Sequence, residues 1–360
     1  MPKTQRRYDV IVIGAGPAGL MAARQLHSAG LNYIVIDRKQ ELGYPRKCAG
    51  GMRKLLFQQL FGEGRFSFIQ RDISLHKFVY RDSTVTRLTP YLKVDRPMFE
   101  RWLGEGLNIR FSCQAQDISA VSGGVRVITP LGDITGKIAI LSYGANFVFQ
   151  KKLGLLSRLP SLISAYGGIY RGHGLDPSAF HYYLHNLYPG YMWVFPESAD
   201  IASVGFGNYP NCGRNPTDII KALNELLCLY NIHGEFIEYY SGIIPGSGPL
   251  RRTFDDRLLV AGDAAGQVIA ASGEGVCYAL KAGRLAGLTA VEAVRRNRFD
   301  RAFLGSYEKT WRASFGRRMR NGVRKLRMIQ WAFRYNFIGA AMRIMSYWSM
   351  KYRDDTDRHL

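Results

Sequence analysis

The sequence predicts a mixed α/β protein with a Rossmann-like dinucleotide-binding domain, an interleaved domain made mainly of β-sheet, and a helical C-terminal segment. Three observations carry this. Residues 8–37 read as strand, glycine turn, helix and strand. Residues 153–249 are rich in aromatics and poor in strong helix formers until Thr217. Residues 257–287 repeat the opening pattern of buried strand, glycine turn and helix.

In the first stretch Val10, Ile11, Val12 and Ile13 form a short β-branched run, which suits a strand buried on both faces. Gly14, Gly16 and Gly19 then stand in the spacing G-x-G-x-x-G. The first glycine permits the tight turn, the second lets a pyrophosphate approach the backbone, and the third lets helix and strand pack closely. Pro17 suits the first helical turn, Leu20, Ala23 and Leu26 give an inward stripe, and Gly30 ends the helix. Asp37 closes the second strand, where a carboxylate accepts hydrogen bonds from ribose hydroxyls. This stretch specifies a dinucleotide and leaves FAD and NAD both open.

A chain of 360 residues buries a substantial core and divides into two or three structural units. Residues 1–7 are short and polar, without the apolar core of a secretory leader, so a cytoplasmic start is expected. Cys48, Cys113, Cys212, Cys228 and Cys277 are odd in number and lack paired metal-ligand spacing, so reduced thiols and no metal site are expected. The net charge of +21 calls for an anionic partner: nucleic acid, anionic lipid or an acidic protein.

Residues 38–52 form a basic, glycine-rich loop around Cys48. Two readings stand for it, a covering loop with a buried thiol, or a thiol beside the cofactor's reactive ring as proton donor or redox partner. A short helix is expected over 55–61 and extended segments over 73–87. Arg96 enters a helix over 98–107, where its guanidinium can meet a phosphate or simply cap a loop. Short strands over 109–113, 125–130 and 137–141 suggest a β-meander. Two neighbouring strands joined at 198–200 place Tyr191, Trp193 and Phe195 alternately on one face, which is either core or the wall of an apolar cavity. His181 and His185 lie in a strand-like setting with no third ligand, which argues against a metal. Residues 218–231 read as an amphipathic helix. In the second glycine stretch Gly262 and Asp263 form a turn, and Gly273, Glu274 and Gly275 open a helix that again points backbone N–H groups at a cofactor.

The tail carries Arg317, Arg318, Arg320, Arg324, Lys325, Arg327 and Arg334. Val323, Leu326, Ile329, Phe333, Phe337, Ala340 and Ile344 recur at helical spacing on another face. Arg334 and Arg343 interrupt any run long enough to span a bilayer, so the alternatives are a helix lying in the membrane interface or one packed on the protein's own core. No nucleic-acid-binding signature accompanies the charge.

These stretches together resemble the geranylgeranyl reductase family of flavoproteins, which share the para-hydroxybenzoate hydroxylase fold. The resemblance spans nearly the whole chain. It rests on the 14–19 turn with Asp37, on Gly262-Asp263 with Gly273-Glu274-Gly275, on Lys47-Cys48-Ala49-Gly50-Gly51, and on the Tyr-x-Trp-x-Phe-Pro pattern at 191–196. It implies FAD contacts at Gly14, Gly16, Ala18, Gly19, Asp37, Arg38, Cys48, Ala49, Gly50, Arg96, Gly262, Asp263, Gly273, Glu274 and Gly275. Catalytic roles fall to Cys48, Tyr191, Trp193 and Phe195. The implied activity is reduction of carbon–carbon double bonds in an isoprenoid chain; a flavin monooxygenase or halogenase, or an electron-relay flavoprotein docking an acidic partner, are the alternatives. Where flavoproteins of this fold commonly carry Asp-Gly, this chain has Tyr143-Gly144, which leaves the donor open between NADPH and reduced ferredoxin. An isoprenoid lipid substrate favours the interfacial helix, with residues 312–353 against an anionic membrane on the cytoplasmic face. The expected domains are 1–72, 94–150 and 250–295 for FAD, 73–93 and 151–249 for substrate, and 296–360 for the basic helices.

Overall fold

The computed structural model describes residues 7–213 and 218–340. β1 (Arg7–Ile13), α1 (Pro17–Ser28) and β2 (Tyr33–Ile36) open the chain, followed by β3 (Gly51–Arg53), α2 (Lys54–Phe61), β4 (Ile69–Tyr80) and β5 (Ser83–Val94). Next come α3 (Arg96–Gly104), β6 (Ile109–Arg110), β7 (Asp117–Val121), β8 (Gly124–Ile128), β9 (Ile134–Leu141) and α4 (Val148–Lys152). The middle holds β10 (Leu162–Arg171), β11 (Ala179–His185), β12 (Tyr188–Pro196), β13 (Ile201–Asn208), α5 (Ile219–Leu229) and β14 (Glu235–Pro245). β15 (Phe254–Asp255), β16 (Leu258–Val260), α6 (Val276–Arg295), α7 (Arg301–Trp311) and α8 (Arg317–Arg334) complete it.

The chain forms two compact units. The first comprises Met1–Pro45, Pro97–Pro160 and Ser247–Gly322; the second comprises Arg46–Arg96, Ser161–Gly246 and Val323–Leu360. These boundaries differ from the sequence expectation, because Arg46–Arg96 clusters with the second sheet and the stretch to Gly322 clusters with the first unit.

In the first unit the sheet order is β15-β16-β9-β1-β2-β6, with β8 pairing β9 and β7 pairing β8. β1 runs parallel to both β2 and β9, so it is the central strand, and Val10 to Ile13 are buried on both faces as their continuous apolar run requires. The expected strand at 109–113 is only Ile109–Arg110. Ser112 adopts φ +50 and the N–H groups of Ser112 and Cys113 donate to Lys39 O and Asp37 O, which bends the chain around the end of β2. α1 and α6 meet through backbone rather than side chains. A Cβ on Gly283 would lie 2.0 Å from Ala18 O, and one on Gly287 would lie 2.6 Å from Ala22 O.

The second unit is a sheet of order β14-β10-β13-β12-β11-β4-β5-β3. All its pairings are antiparallel except β4 with β11. Where the sequence suggested two strands between 180 and 208 there are three, since β11 turns into β12 at Asn186–Leu187 before β12 turns into β13. Period-2 alternation along β12 divides its side chains. Met192 and Val194 join one core with Leu223 and Leu226 of α5, while Trp193 and Phe195 join another with Ile73, Tyr91, Phe180 and Tyr240. Asp218 caps α5 by accepting from the N–H groups of Ile220 and Lys221.

Among the described residues no helix is long and apolar enough to cross a membrane. Leu326 and Phe333 on α8 are buried as the helical stripe predicts, but Phe337 is exposed and Ile338 is buried in its place. α8 stops at Arg334 and Asn336 adopts φ +59, so the helical phase is lost before Phe337. The expectations for Arg343, Ile344 and Trp348 lie outside the described residues.

Gly283→Val is expected to lower stability by about 1–3 kcal/mol, because the new side chain must push α1 and α6 apart. A thermal melt measures this, and an unchanged midpoint would refute the backbone contact.

Candidate active site

The first unit assembles a cradle at the end of β1. Gly14, at φ +105, sits on the segment after β9: a Cβ there would be 2.6 Å from Ser142 O and 2.7 Å from Tyr143 Cα. Ser142 Oγ donates to Ile13 O (3.0 Å) and Gly14 O (3.1 Å), and a Cβ on Gly19 would be 1.8 Å from Gly14 O. The turn is thus held shut by backbone contact. At Gly16, by contrast, an added Cβ would meet nothing within 4 Å. Gly16 is the N-cap of α1 and offers no side-chain cap, and the first turn carries no acidic residue, so the helix N-terminus presents its N–H groups and positive dipole to open space.

Asp37 accepts from Ala15 N–H (2.6 Å, Oδ2) and Lys39 N–H (2.8 Å, Oδ1), which fixes the carboxylate at the end of β2 with a second lone pair on each oxygen for ribose hydroxyls. Arg38 is exposed. Lys39, which the sequence reading passed over, reaches back to Ala15 O (3.2 Å) and pairs with Glu100 (3.4 Å). The second glycine turn joins the same cradle. A Cβ on Gly262 would lie 2.9 Å from Ala18 Cβ, and one on Gly275 would lie 3.2 Å from Asp263 Oδ1. Gly262 opens a single 3-10 turn, Gly262–Ala265, and Gly273, at φ +72, and Glu274 lead to Gly275, the uncapped N-cap of α6. Two bare helix N-termini, an acid at a strand end and open space over Gly16 fit the phosphates and ribose of a dinucleotide. Gly14, Gly16, Ala18, Gly19, Asp37, Gly262, Asp263 and Gly273 to Gly275 would hold it.

Tyr143 has a structural task in this unit. Its hydroxyl donates to Gln150 Oε1, and the buried Gln150 donates to Ala264 O (2.7 Å), tying the segment after β9 to the second glycine turn. Burial pushes the Tyr143 phenol well above its ordinary range, so it remains a neutral donor.

The second unit brings the cysteine loop onto the aromatic face. Ala49 packs on the cluster of Trp193, Phe195, Phe180, Tyr91 and Tyr240, with Tyr191 and Tyr182 at its margin. Phe180 and Phe195 stack with centroids 4.1 Å apart, and a Cβ on Gly51 would touch both rings at 3.3–3.4 Å. Trp193 lies flat over β13, because Gly205 leaves room: a Cβ there would be 2.3 Å from Trp193 Cζ2. Its indole N–H donates to Ser203 Oγ (3.3 Å), which shares a 2.5 Å hydrogen bond with Tyr240. Half-buried Cys48 accepts from Gly50 N–H at 3.4 Å. Arg96 is buried at the first position of α3.

Beneath this loop is an ionic cluster that sequence reading missed. Lys93 is 0% exposed, and its ammonium donates to Glu197 Oε1 (2.7 Å) and Gln70 Oε1 (3.1 Å). Arg46 lies 3.5 Å from the same Glu197 oxygen, and Gln70 donates to Glu197 Oε2 (3.0 Å). Burial holds Lys93 below the ordinary lysine range despite its partner, whereas Lys93 and Arg46 outweigh burial at Glu197 and hold its carboxyl down. The signals were faint: a lysine between Leu92 and Val94, and a glutamate directly after the Phe195-Pro196 pair.

A family model described as an FAD binding domain matches residues 9–70. A digeranylgeranylglycerophospholipid reductase of Methanosphaerula palustris is 30% identical over 334 residues, 85% of this chain and 82% of that protein. Digeranylgeranylglycerophospholipid reductase 1 of Methanococcoides burtonii is 29% identical over 340 residues, 88% of this chain and 82% of that protein. A geranylgeranyl bacteriochlorophyll reductase-like structure from Thermoplasma acidophilum shares the fold with a TM-score of 0.83 at 22% identity, covering 91% of this chain and 88% of that one.

Gly205→Ala is expected to displace the Trp193 ring and to cost about 1–3 kcal/mol. Near-ultraviolet circular dichroism should change while FAD content persists; an unchanged spectrum would contradict the contact.

Proposed function

The chain belongs to the digeranylgeranylglycerophospholipid reductase family of FAD-dependent oxidoreductases, and from that premise we propose that it saturates carbon–carbon double bonds in the isoprenoid chains of a lipid. The observation that carries the reading is the placement of the Cys48 loop on an aromatic face built from Trp193, Phe195 and Phe180. Bound reduced FAD would supply the electron pair together with one hydrogen. An isolated trisubstituted alkene is a poor electrophile, so the chain must add a proton and keep water from any developing cation. Cys48 is the proton-bearing group, Trp193 and Phe195 are the apolar walls whose ring faces accommodate positive charge, and Tyr191 borders them. Family membership favours this reading over the monooxygenase, halogenase and relay alternatives. The electron donor is anionic, NADPH or a reduced ferredoxin, and the excess of 49 Lys and Arg over 28 Asp and Glu suits either one.

A lipid substrate places the work at a membrane, and α8 offers the means. Met328 (70% exposed), Trp331 (58%), Tyr335 and Phe337 form an outward apolar patch beside the exposed Arg324, Lys325, Arg327 and Arg334. Trp331 stacks on Phe337 with centroids 5.7 Å apart. Aromatic groups flanked by cations suit the interface of an anionic bilayer, here on the cytoplasmic face. The remainder of the 312–353 region lies outside the described residues.

With a geranylgeranylated glycerolipid and a chemical reductant, Trp193→Ala and Cys48→Ala are each expected to lower turnover at least tenfold with FAD retained. Wild-type turnover in both would overturn the assignment. Trp331→Ser with Phe337→Ser should weaken sedimentation with anionic vesicles at least fivefold, and undiminished binding would remove α8 from the membrane contact.

A further inference from the structure

The buried ionic cluster points to a step that the aromatic face cannot perform. A thiol that gives its proton to a substrate carbon is left as a thiolate, and it must be reprotonated before the next double bond is reduced. We propose that Lys93 is the positioning and proton-return residue for Cys48, a two-member relay anchored by Glu197. This rests on the reading of Cys48 as the group that protonates the alkene.

The geometry joins the two residues through one glycine. Gly50 N–H donates to Cys48 Sγ at 3.4 Å, and a Cβ on Gly50 would stand 3.1 Å from Lys93 Nζ and 2.3 Å from Val94 O. Gly50, at φ +82, therefore lies directly on the lysine, and any side chain there would enter the space above the ammonium. Lys93 reaches this position from β5, and no part of it is exposed. Its partners explain why it stays: Glu197 at 2.7 Å and Gln70 at 3.1 Å hold the ammonium beneath the loop. Among the described residues, the charged and titratable groups around the pair include Arg46 on the same loop, Glu197 after β12 and Tyr240 on β14, with Glu238 of β14 paired to Arg46. Tyr240 is buried and held neutral by that burial, so Lys93 is the proton carrier among them that burial makes readier to release its proton.

The proton balance is simple. Reduced FAD would supply the alkene with two electrons and one hydrogen; for the second hydrogen the S–H bond of Cys48 breaks and a C–H bond forms, leaving a thiolate separated from the ammonium by Gly50. An N–H bond of Lys93 then breaks and the S–H bond re-forms, leaving a neutral amine. The buried amine regains its proton by way of the Glu197 carboxylate, which it touches at 2.7 Å and which is itself partly exposed, so the relay draws one external proton per double bond. A lysine can do this; an arginine in its place keeps the charge but does not release a proton under these conditions.

The test uses the FAD-loaded full chain with excess chemical reductant, no oxygen and a geranylgeranylated glycerolipid, comparing Lys93→Arg, Lys93→Met and Cys48→Ala. Lys93→Arg is expected to keep its FAD spectrum, to be alkylated at Cys48 by iodoacetamide at the wild-type rate, and to reduce about one double bond per protein in a first burst. Steady turnover should then fall at least tenfold. Lys93→Met, which removes the proton-bearing group altogether, should show the same single burst and the same loss of steady turnover, with Cys48 still alkylated, read peptide by peptide because four other cysteines are free. Wild-type steady turnover in either lysine variant that retains FAD would overturn the relay while leaving Cys48 in place. Wild-type turnover in Cys48→Ala would instead overturn the reading on which the relay rests.

Discussion

Backbone-to-backbone contact is the constraint on which the first unit depends. Gly14 rests on the Ser142–Tyr143 backbone, Gly19 on Gly14 O, and Gly283 and Gly287 on the carbonyls of α1, all at distances that leave no room for a Cβ. The central strand, the phosphate turn and the two helices are locked into one arrangement by these absences. Opposite them, Gly16 has open space where the others have none. The same residue type therefore closes the scaffold in one place and leaves a berth for a ligand in another.

The second unit presents an apolar aromatic wall on its sheet, with the Cys48 loop packed on it through Ala49. Alternation along β12 sends Met192 and Val194 into the core under α5 and leaves Trp193 and Phe195 for the opposite face. Gly205 lets the indole lie flat, and Ser203 Oγ, itself hydrogen-bonded to Tyr240, accepts from the indole N–H in an otherwise apolar setting. The Lys93–Glu197 pair is costly to bury and is compensated by Gln70 and Arg46, an arrangement in which loss of one partner leaves a stranded charge worth about 3–5 kcal/mol.

The sequence made the cradle legible because each glycine there has a local backbone reason that spacing alone conveys. The alternation of Tyr191, Trp193 and Phe195 was legible for the same reason, since period 2 survives whatever the strand packs against. Lys93 was not: a lone lysine within a strand ordinarily marks a solvated face, and only the long-range meeting of β5, the end of β12 and the Cys48 loop turns it into a buried cation. Phe337 was misplaced because helical spacing was carried past a residue, Asn336, at which the helix has already ended. The role of Tyr143 was hidden too, because its hydroxyl acts through Gln150 on Ala264, which lies more than a hundred residues further along the chain.

The chain is an FAD-dependent oxidoreductase of the digeranylgeranylglycerophospholipid reductase family, and on the proposed function its own side chains supply the proton that accompanies reduction of an apolar alkene. The most direct measurement is anaerobic: the FAD-loaded protein is reduced, freed of reductant, mixed with a geranylgeranylated glycerolipid, and followed by flavin absorbance and lipid mass. Reoxidation of the flavin with a gain of two hydrogens in the lipid for each flavin oxidised is the predicted result. A flavin that stays reduced in the presence of the lipid, and reoxidises only when oxygen is admitted, would contradict the account.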